Sequence, residues 1–140
     1  CKKKNIKFFV ANDLSTALRL NASGIYLSSY NKQFINAGKT LRENFEIIGS
    51  AHNFSEINIK RRQGCKTVIL SRLFKTDYKN KSTFLGTTRF NLMTKNLLKN
   101  FVALGGIRSK NLMKINILNC EGIALLSEVK KKPAIIRRLF

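Results

Sequence analysis

Two glycines at the end of an apolar run, in Phe101-Val102-Ala103-Leu104-Gly105-Gly106-Ile107, are the residues whose spacing points most directly to chemistry. Four apolar residues in a row suit a strand covered on both faces. Glycines just past such a strand let backbone N–H groups approach a ligand without side-chain obstruction. Arg108-Ser109-Lys110 behind them reads as a helix start with Ser109 as its cap, and a helix N-terminus there would favour an anion. Asn12, Asp13, Ser28, Ser50, His52, Ser71 and Ser127 stand in equivalent places, each just beyond an apolar run. Asp13, in front of a helix, reads by itself as an N-cap. His52 is the only histidine and suits a structural or substrate-lining role better than that of a general base.

The elements that must position these groups follow in order. Ile6–Ala11 is a predicted strand, rich in aromatic and β-branched residues. Leu14, Ala17 and Leu18 then share one helical face, and Ile25-Tyr26-Leu27 starts a second strand. Phe34, Ile35 and Leu41 suggest a helix before a third strand, Phe45–Ser50. Phe54, Ile57 and Ile59 outline a short helix that stops near Gln63-Gly64, and Thr67–Leu70 is the fourth strand. The polar stretch from Ser71 to Thr88 has no periodicity and reads as a lid or binding loop. Phe90, Leu92, Met93, Leu97 and Leu98 resume a helical pattern before the strand Phe101–Leu104. Leu112, Met113, Ile115, Ile117 and Leu118 outline the next helix, Gly122–Leu126 the sixth strand, and Pro133 opens a last helix over Ala134–Leu139.

An internal repeat supports this register. Leu20-Asn21-Ala22-Ser23-Gly24-Ile25-Tyr26-Leu27-Ser28 resembles the stretch from Leu118 to Ser127, with Arg62 to Ser71 a looser third copy, each a helix end, a turn and a strand start. Strands recurring at roughly twenty-residue intervals are the beat of β-α units and a parallel sheet. In a β/α barrel the strand C-termini carry the active site, and a phosphate often sits between the loops after the last two strands.

Composition bounds the rest. The 140 residues, 44% hydrophobic, make one domain's worth of sequence. No apolar run approaches the ~20 residues that span a bilayer, and a cytoplasmic protein without membrane contact is expected. Cys1, Cys65 and Cys120 are odd in number and far apart, which argues against a disulfide framework or a zinc site. The formal net charge of +20, from 27 Lys and Arg against 7 Asp and Glu, attracts polyanions or phosphorylated metabolites. No five or six basic residues are consecutive, so lysines spread over solvated faces are preferred to a nucleic-acid surface.

Val10-Ala11-Asn12-Asp13, Gly24-Ile25-Tyr26-Leu27, Ile48-Gly49-Ser50-Ala51-His52, Phe74-Lys75-Thr76-Asp77-Tyr78-Lys79, Ala103-Leu104-Gly105-Gly106-Ile107 and Gly122-Ile123-Ala124-Leu125-Leu126-Ser127 occur in a familiar order and spacing. Together they resemble the thiamine phosphate synthase and TenI superfamily nearly end to end. The resemblance implies an α/β fold of the TIM-type (β/α)8 barrel, with residues 1–140 as a partial domain: six β-α units, strands three to eight, of a longer protein. It implies a transferase that, when full length, joins hydroxymethylpyrimidine diphosphate to thiazole phosphate and releases pyrophosphate with Mg²⁺, residues 1–140 alone being expected to be inactive. By the same resemblance Asn12 contacts the pyrimidine, Asp13 is a Mg²⁺ ligand, Ser50 contacts pyrophosphate and Lys79 the diphosphate. Thr76, Gly105, Gly106, Leu126 and Ser127 hold the thiazole phosphate.

Asn31 stands where the family has its second Mg²⁺ carboxylate, Ser28-Ser29 replaces Gly-Gln, Ser71-Arg72 replaces Gly-Pro, and Tyr78 replaces a loop threonine. Phe74-x-Thr76-Asp77-x-Lys79 is closer to TenI-type thiazole tautomerases, which need no metal, although their histidine is Arg72 here. A TenI-like thiazole phosphate tautomerase or a degenerate phosphate binder is thus the alternative, and a nucleic-acid-binding protein the remote one. No residue is assigned as catalytic, and a homo-oligomer is left open.

Overall fold

A computed structural model describes residues 6–35, 41–76, 83–97 and 100–125. The chain divides into two compact units, Cys1–Val68 and Ile69–Phe140, with the boundary inside a strand.

The first unit contains β1 (Phe9–Ala11), α1 (Leu14–Arg19), β2 (Gly24–Leu27), β3 (Glu46–Ala51), α2 (Phe54–Arg62) and the start of β4 (Thr67–Ser71). β1 lies parallel to β2 with Phe9 opposite Gly24, and β2 parallel to β3 with Leu27 opposite Gly49. Gly24 is required by this pairing, because a Cβ there would stand 2.0 Å from the Glu46 carbonyl oxygen. Ala17, Ala22, Ile25, Leu27, Ala51, Ile57, Cys65 and Val68 form the core. Both helices are capped at each end. Asp13 accepts the Thr16 N–H at 3.0 Å, as the N-cap reading expects. Asn53 accepts the Glu56 N–H at 2.9 Å as the N-cap, while the Glu56 carboxylate accepts the N–H of His52, one residue before the cap, at 2.7 Å.

The helix ends explain two copies of the repeat. After α1, Asn21 takes φ 52°, its N–H donates to Leu18 O and that of Ala22 to Ala17 O. After α2, Gly64 takes φ 76°, its N–H donates to Arg61 O and that of Cys65 to Lys60 O. Both are left-handed Schellman closures leading straight into a strand.

The second unit holds the rest of β4, α3 (Gly86–Thr94), β5 (Asn100–Leu104), a 3-10 helix (Ser109–Ile115) and β6 (Gly122–Ala124). β5 and β6 are parallel, Val102 opposite Gly122. Leu70, Leu73, Phe90, Phe101, Ala103 and Ile107 are its buried apolar residues.

Four expectations change. β1 begins at Phe9 rather than Ile6. Phe34, Ile35 and Leu41 are not helical; Asn31 Oδ1 accepts the Gln33 N–H at 2.9 Å, a local turn that competes with helix, and Phe34 is 61% exposed. α3 starts at Gly86, inside the stretch read as loop, because the Leu85 and Gly86 N–H groups bond Arg72 O and Leu73 O and close the loop's base. The element after β5 is a seven-residue 3-10 helix with no buried residue; Met113 is 86% and Ile117 62% exposed. Its continuation is diverted by Asn91 of α3, whose Nδ2 donates to Ile117 O at 2.7 Å while its Oδ1 accepts the Asn119 N–H at 2.8 Å. The expected helix over Ala134–Leu139 lies outside the described residues.

Candidate functional site

Asn12, Asp13, Ser28, Asn31 and Ser50 lie at or beyond the C-terminal ends of strands in the first unit, and hydrogen bonds join Asn12, Ser28 and Asn31. Asn12 follows β1 at φ 58°, a left-handed conformation that asparagine tolerates better than most residues. Its N–H donates to Tyr26 O at 2.8 Å, which ties it to β2. Its Oδ1 accepts the Ser28 N–H at 2.9 Å, the Ser28 hydroxyl at 2.9 Å and Asn31 Nδ2 at 3.2 Å. The side-chain oxygen is thereby saturated, and Nδ2 is the remaining donor end of Asn12. Ser50, near the end of β3, is buried.

Asp13 is exposed, and its two oxygens take the Thr16 N–H at 3.0 Å and the Thr16 hydroxyl at 2.7 Å. The Thr16 backbone hydrogen bond, then that of its hydroxyl, hold the carboxyl below its ordinary value. Asn31 turns its Oδ1 toward the Gln33 N–H and its Nδ2 toward Asn12, so it presents no carboxylate-like oxygen to Asn12. Among the described residues no three His, Cys, Asp or Glu side chains gather as metal ligands. A cation enclosed by protein ligands does not fit these residues. A magnesium ion carried by a polyphosphate does, since it needs one or two carboxylates beside phosphate oxygens, and Asp13 supplies one.

Two residues that sequence reasoning passed over sit beneath this cluster. Lys60 of α2 is 0% exposed and donates to Ser28 O at 2.7 Å, Asn31 O at 2.8 Å and Gln63 Oε1 at 2.9 Å. Gln63 Nε2 donates to Asn31 O at 3.0 Å and Gln33 O at 2.8 Å. Desolvation pulls the Lys60 ammonium below its ordinary pKa. Lys60 heads the run Lys60-Arg61-Arg62, which looks like an ordinary solvated helix end. Gly49 makes room for it, since a Cβ there would stand 2.7 Å from Lys60 Cδ, but nothing in the sequence links the two positions.

In the second unit the glycine corner follows β5. Gly105 has φ 100° and Gly106 φ 67°. A Cβ on Gly106 would lie 2.5 Å from Phe74 O and 2.6 Å from Lys75 O, and one on Gly105 would lie 3.1 Å from Arg72 Cβ. Close backbone approach therefore demands these glycines, but the approaching group is the 74–75 main chain of the binding loop. That loop is laced to the corner through Leu73 N–H to Leu104 O at 2.9 Å and Phe74 N–H to Gly105 O at 3.0 Å. Ser109 is not the cap: Arg108 occupies that position, and Asn111 Oδ1 accepts its N–H at 2.8 Å. Asn111 Nδ2 donates to Gly106 O at 2.9 Å, which fixes the turn. The short 3-10 helix does not offer the N-terminal dipole expected of a full α-helix. Positive charge comes instead from Arg72 and Arg108, which flank the corner. Arg72 Nη1 stands 3.5 Å from the Thr76 hydroxyl. Lys79, Leu126 and Ser127 lie outside the described residues.

Comparison with known proteins places these features in context. A family described as thiamine monophosphate synthase matches residues 1–129. The chain is 33% identical over 133 residues to a thiamine-phosphate synthase of Prochlorococcus marinus, covering 92% of the chain and 37% of that protein. It is 29% identical over 133 residues to the Chlorobium phaeobacteroides thiamine-phosphate synthase, covering 94% of the chain and 64% of that protein. The chain therefore spans between about a third and two thirds of these relatives' lengths. Its fold is similar to that of a thiamine phosphate pyrophosphorylase from Pyrococcus furiosus, with a TM-score of 0.72 at 22% identity over 99% of this chain and 69% of that one.

Proposed function

Because this chain belongs to the thiamine monophosphate synthase family, we propose that it carries part of the machinery of a thiamine phosphate synthase. In this reading the protein joins hydroxymethylpyrimidine diphosphate to thiazole phosphate, releases pyrophosphate, and works in the cytoplasm. The observation that carries the reading beyond family membership is the state of Asn12. Three donors hold its Oδ1, so the side chain is oriented before any ligand arrives.

The first unit takes the pyrimidine diphosphate. Asn12 offers Nδ2 to a ring acceptor, and Ser50 at the end of β3 offers a hydroxyl to the diphosphate. Asp13 is the carboxylate that would hold a magnesium ion brought by the diphosphate. When bound, that ion neutralises charge on the leaving pyrophosphate. The second unit takes the thiazole phosphate. Thr76 and the Gly105-Gly106 corner bind it; Leu126, Ser127 and Lys79, which lie outside the described residues, keep the roles that the family resemblance implies. Arg72 and Arg108 supply cationic charge next to the corner, where a phosphate dianion is stabilised by charge-assisted donors.

Asn31 favours a second reading. It contributes a donor to Asn12 and no anionic oxygen, which suits a metal-independent TenI-like tautomerase or a phosphate binder. The two readings separate in one experiment, in which the protein is incubated with both substrates and Mg²⁺, with and without a chelator. Thiamine phosphate that forms only with the metal supports the synthase. No product above blank, with thiazole phosphate still raising the melting temperature, supports the second reading.

A further inference from the structure

A buried ammonium whose hydrogen bonds all go to neutral oxygens requires explanation, since removing a charge from water is costly unless its surroundings compensate. Lys60 is such a group. Its Nζ has three protons and three partners: Ser28 O at 2.7 Å, Asn31 O at 2.8 Å and Gln63 Oε1 at 2.9 Å. Two of these are main-chain carbonyls of one short segment, the loop that follows β2. Gln63, one turn further along, grips the same segment at Asn31 O and Gln33 O. Room for the lysine stem exists because residue 49 of β3 is glycine; a Cβ there would stand 2.7 Å from Lys60 Cδ and 3.0 Å from Lys60 Cγ. Three positions on two elements thus agree on one arrangement.

What the arrangement holds is equally specific. Within the gripped loop, the Asn31 N–H donates to Ser28 O at 3.0 Å, which closes a turn around the ammonium. The same two residues send their donors outward to Asn12: the N–H and hydroxyl of Ser28 and the Nδ2 of Asn31 all end on Asn12 Oδ1. The chain of contacts therefore runs from α2 through Lys60 and Gln63 to the Ser28–Asn31 turn and from there to Asn12.

We propose that Lys60 is a positioning residue: its ammonium holds the Ser28–Asn31 turn from below, and that turn sets Asn12 for the pyrimidine diphosphate. The identity of the ligand rests on the function proposed above; the mechanical claim about the turn does not. Asn31 is neutral, so no charge on that residue orders the loop from the ligand side. Lys60 supplies the cation from the protein side, and the loop is ordered without a ligand. Lys60 touches neither substrate, and its effect passes through Asn12.

Two measurements test the two parts separately. The first is backbone hydrogen exchange on the ligand-free chain, comparing the parent with Lys60→Met, which keeps the stem and removes the ammonium, and with Gln63→Met. Amides 28–33 are expected to exchange at least about tenfold faster in Lys60→Met, several-fold faster in Gln63→Met, and the β2 amides much less so in either. Equal exchange in parent and variants overturns the proposal. If Lys60→Met does not fold, the unsubstituted protein decides. Labelled with ¹⁵N at lysine, it should show a slowly exchanging Lys60 ammonium with cross-relaxation to Asn31, and an ammonium in fast exchange with water overturns the proposal. The second measurement is the KM for each substrate in Lys60→Met. It should rise about tenfold or more for hydroxymethylpyrimidine diphosphate and stay within about twofold for thiazole phosphate. Equal losses for both, or no change, overturn the positioning role. If the parent protein turns over neither substrate, the function reading fails, and the exchange data still decide whether Lys60 holds the turn.

Discussion

Replacing Gly106 with alanine tests the physical account of the glycine corner. The backbone there has φ 67°, and the added methyl would meet Phe74 O at 2.5 Å and Lys75 O at 2.6 Å. Placing an L-residue with a Cβ in the left-handed region costs roughly 1–2 kcal/mol. The two carbonyls cannot withdraw freely, because the Phe74 N–H is bonded to Gly105 O at 3.0 Å. Shifting that main chain adds about 1–3 kcal/mol, the usual scale for overpacking. The reduced freedom of the unfolded chain returns some 0.4–1 kcal/mol. The net expectation is about 2–4 kcal/mol of lost stability, a fall in Tm of roughly 5–15 °C for a protein of this size class. Gly122→Ala is the internal control: nothing lies within 4 Å of a Cβ there, so a change within about 0.5 kcal/mol is expected. Denaturant unfolding of the parent and both variants, with calorimetric titration of thiazole phosphate, reads both consequences. The titration should show weakened binding for Gly106→Ala and none of that loss for Gly122→Ala. Equal stability of the two variants would refute the packing argument.

Asn12 can be separated into its backbone and side-chain roles. Asn12→Gly keeps the left-handed conformation but removes the acceptor of three hydrogen bonds, leaving about 1–3 kcal/mol of unpaired donors to be read by denaturant unfolding. Asn12→Ala should lose about 1 kcal/mol more. The Asp13 carboxyl titrates below its ordinary value in the folded chain, so the unfolded chain binds more protons in that acid window. Its contribution is complete above the unfolded value of 3.8 and is lost as pH falls through the lower folded one; Asp13→Asn should flatten that limb of stability measured against pH. Cys65 is fully buried and the Cys120 thiol is pushed up by burial. Both should therefore alkylate more slowly at pH ~8 than a free thiol of ordinary pKa, as mass spectrometry over a time course would show.

The strands were legible because each is a short run of β-branched and aromatic residues closed by a polar or glycine step, and the register repeat was legible because two of its copies are the same helix closure. Asn21 and Gly64 mark those closures, and both residue types favour the left-handed conformation that a Schellman end requires. The Asp13 cap was legible for a similar reason, since its oxygen needs only a donor three residues on. Long-range side-chain contacts were not legible. Asn91 holds Ile117 and Asn119 across 26 and 28 residues of chain and diverts the element after β5 from a full helix. Asn31 ends the helical pattern around Phe34 through a turn that hydrophobic spacing does not register. In the site, the types and places of Asn12, Asp13, Ser50 and the glycines were visible. The bracing was not, because nothing local distinguishes Lys60 from Arg61 and Arg62 beside it; only the register of α2 against β3 turns Lys60 inward.

Incubating the full-length protein with hydroxymethylpyrimidine diphosphate, thiazole phosphate and Mg²⁺, and following thiamine phosphate by chromatography, tests the proposed function most directly. The account predicts metal-dependent product, abolished by chelation and reduced by Asn12→Gly. Formation of no product above blank, under conditions where a known synthase is active, would contradict it.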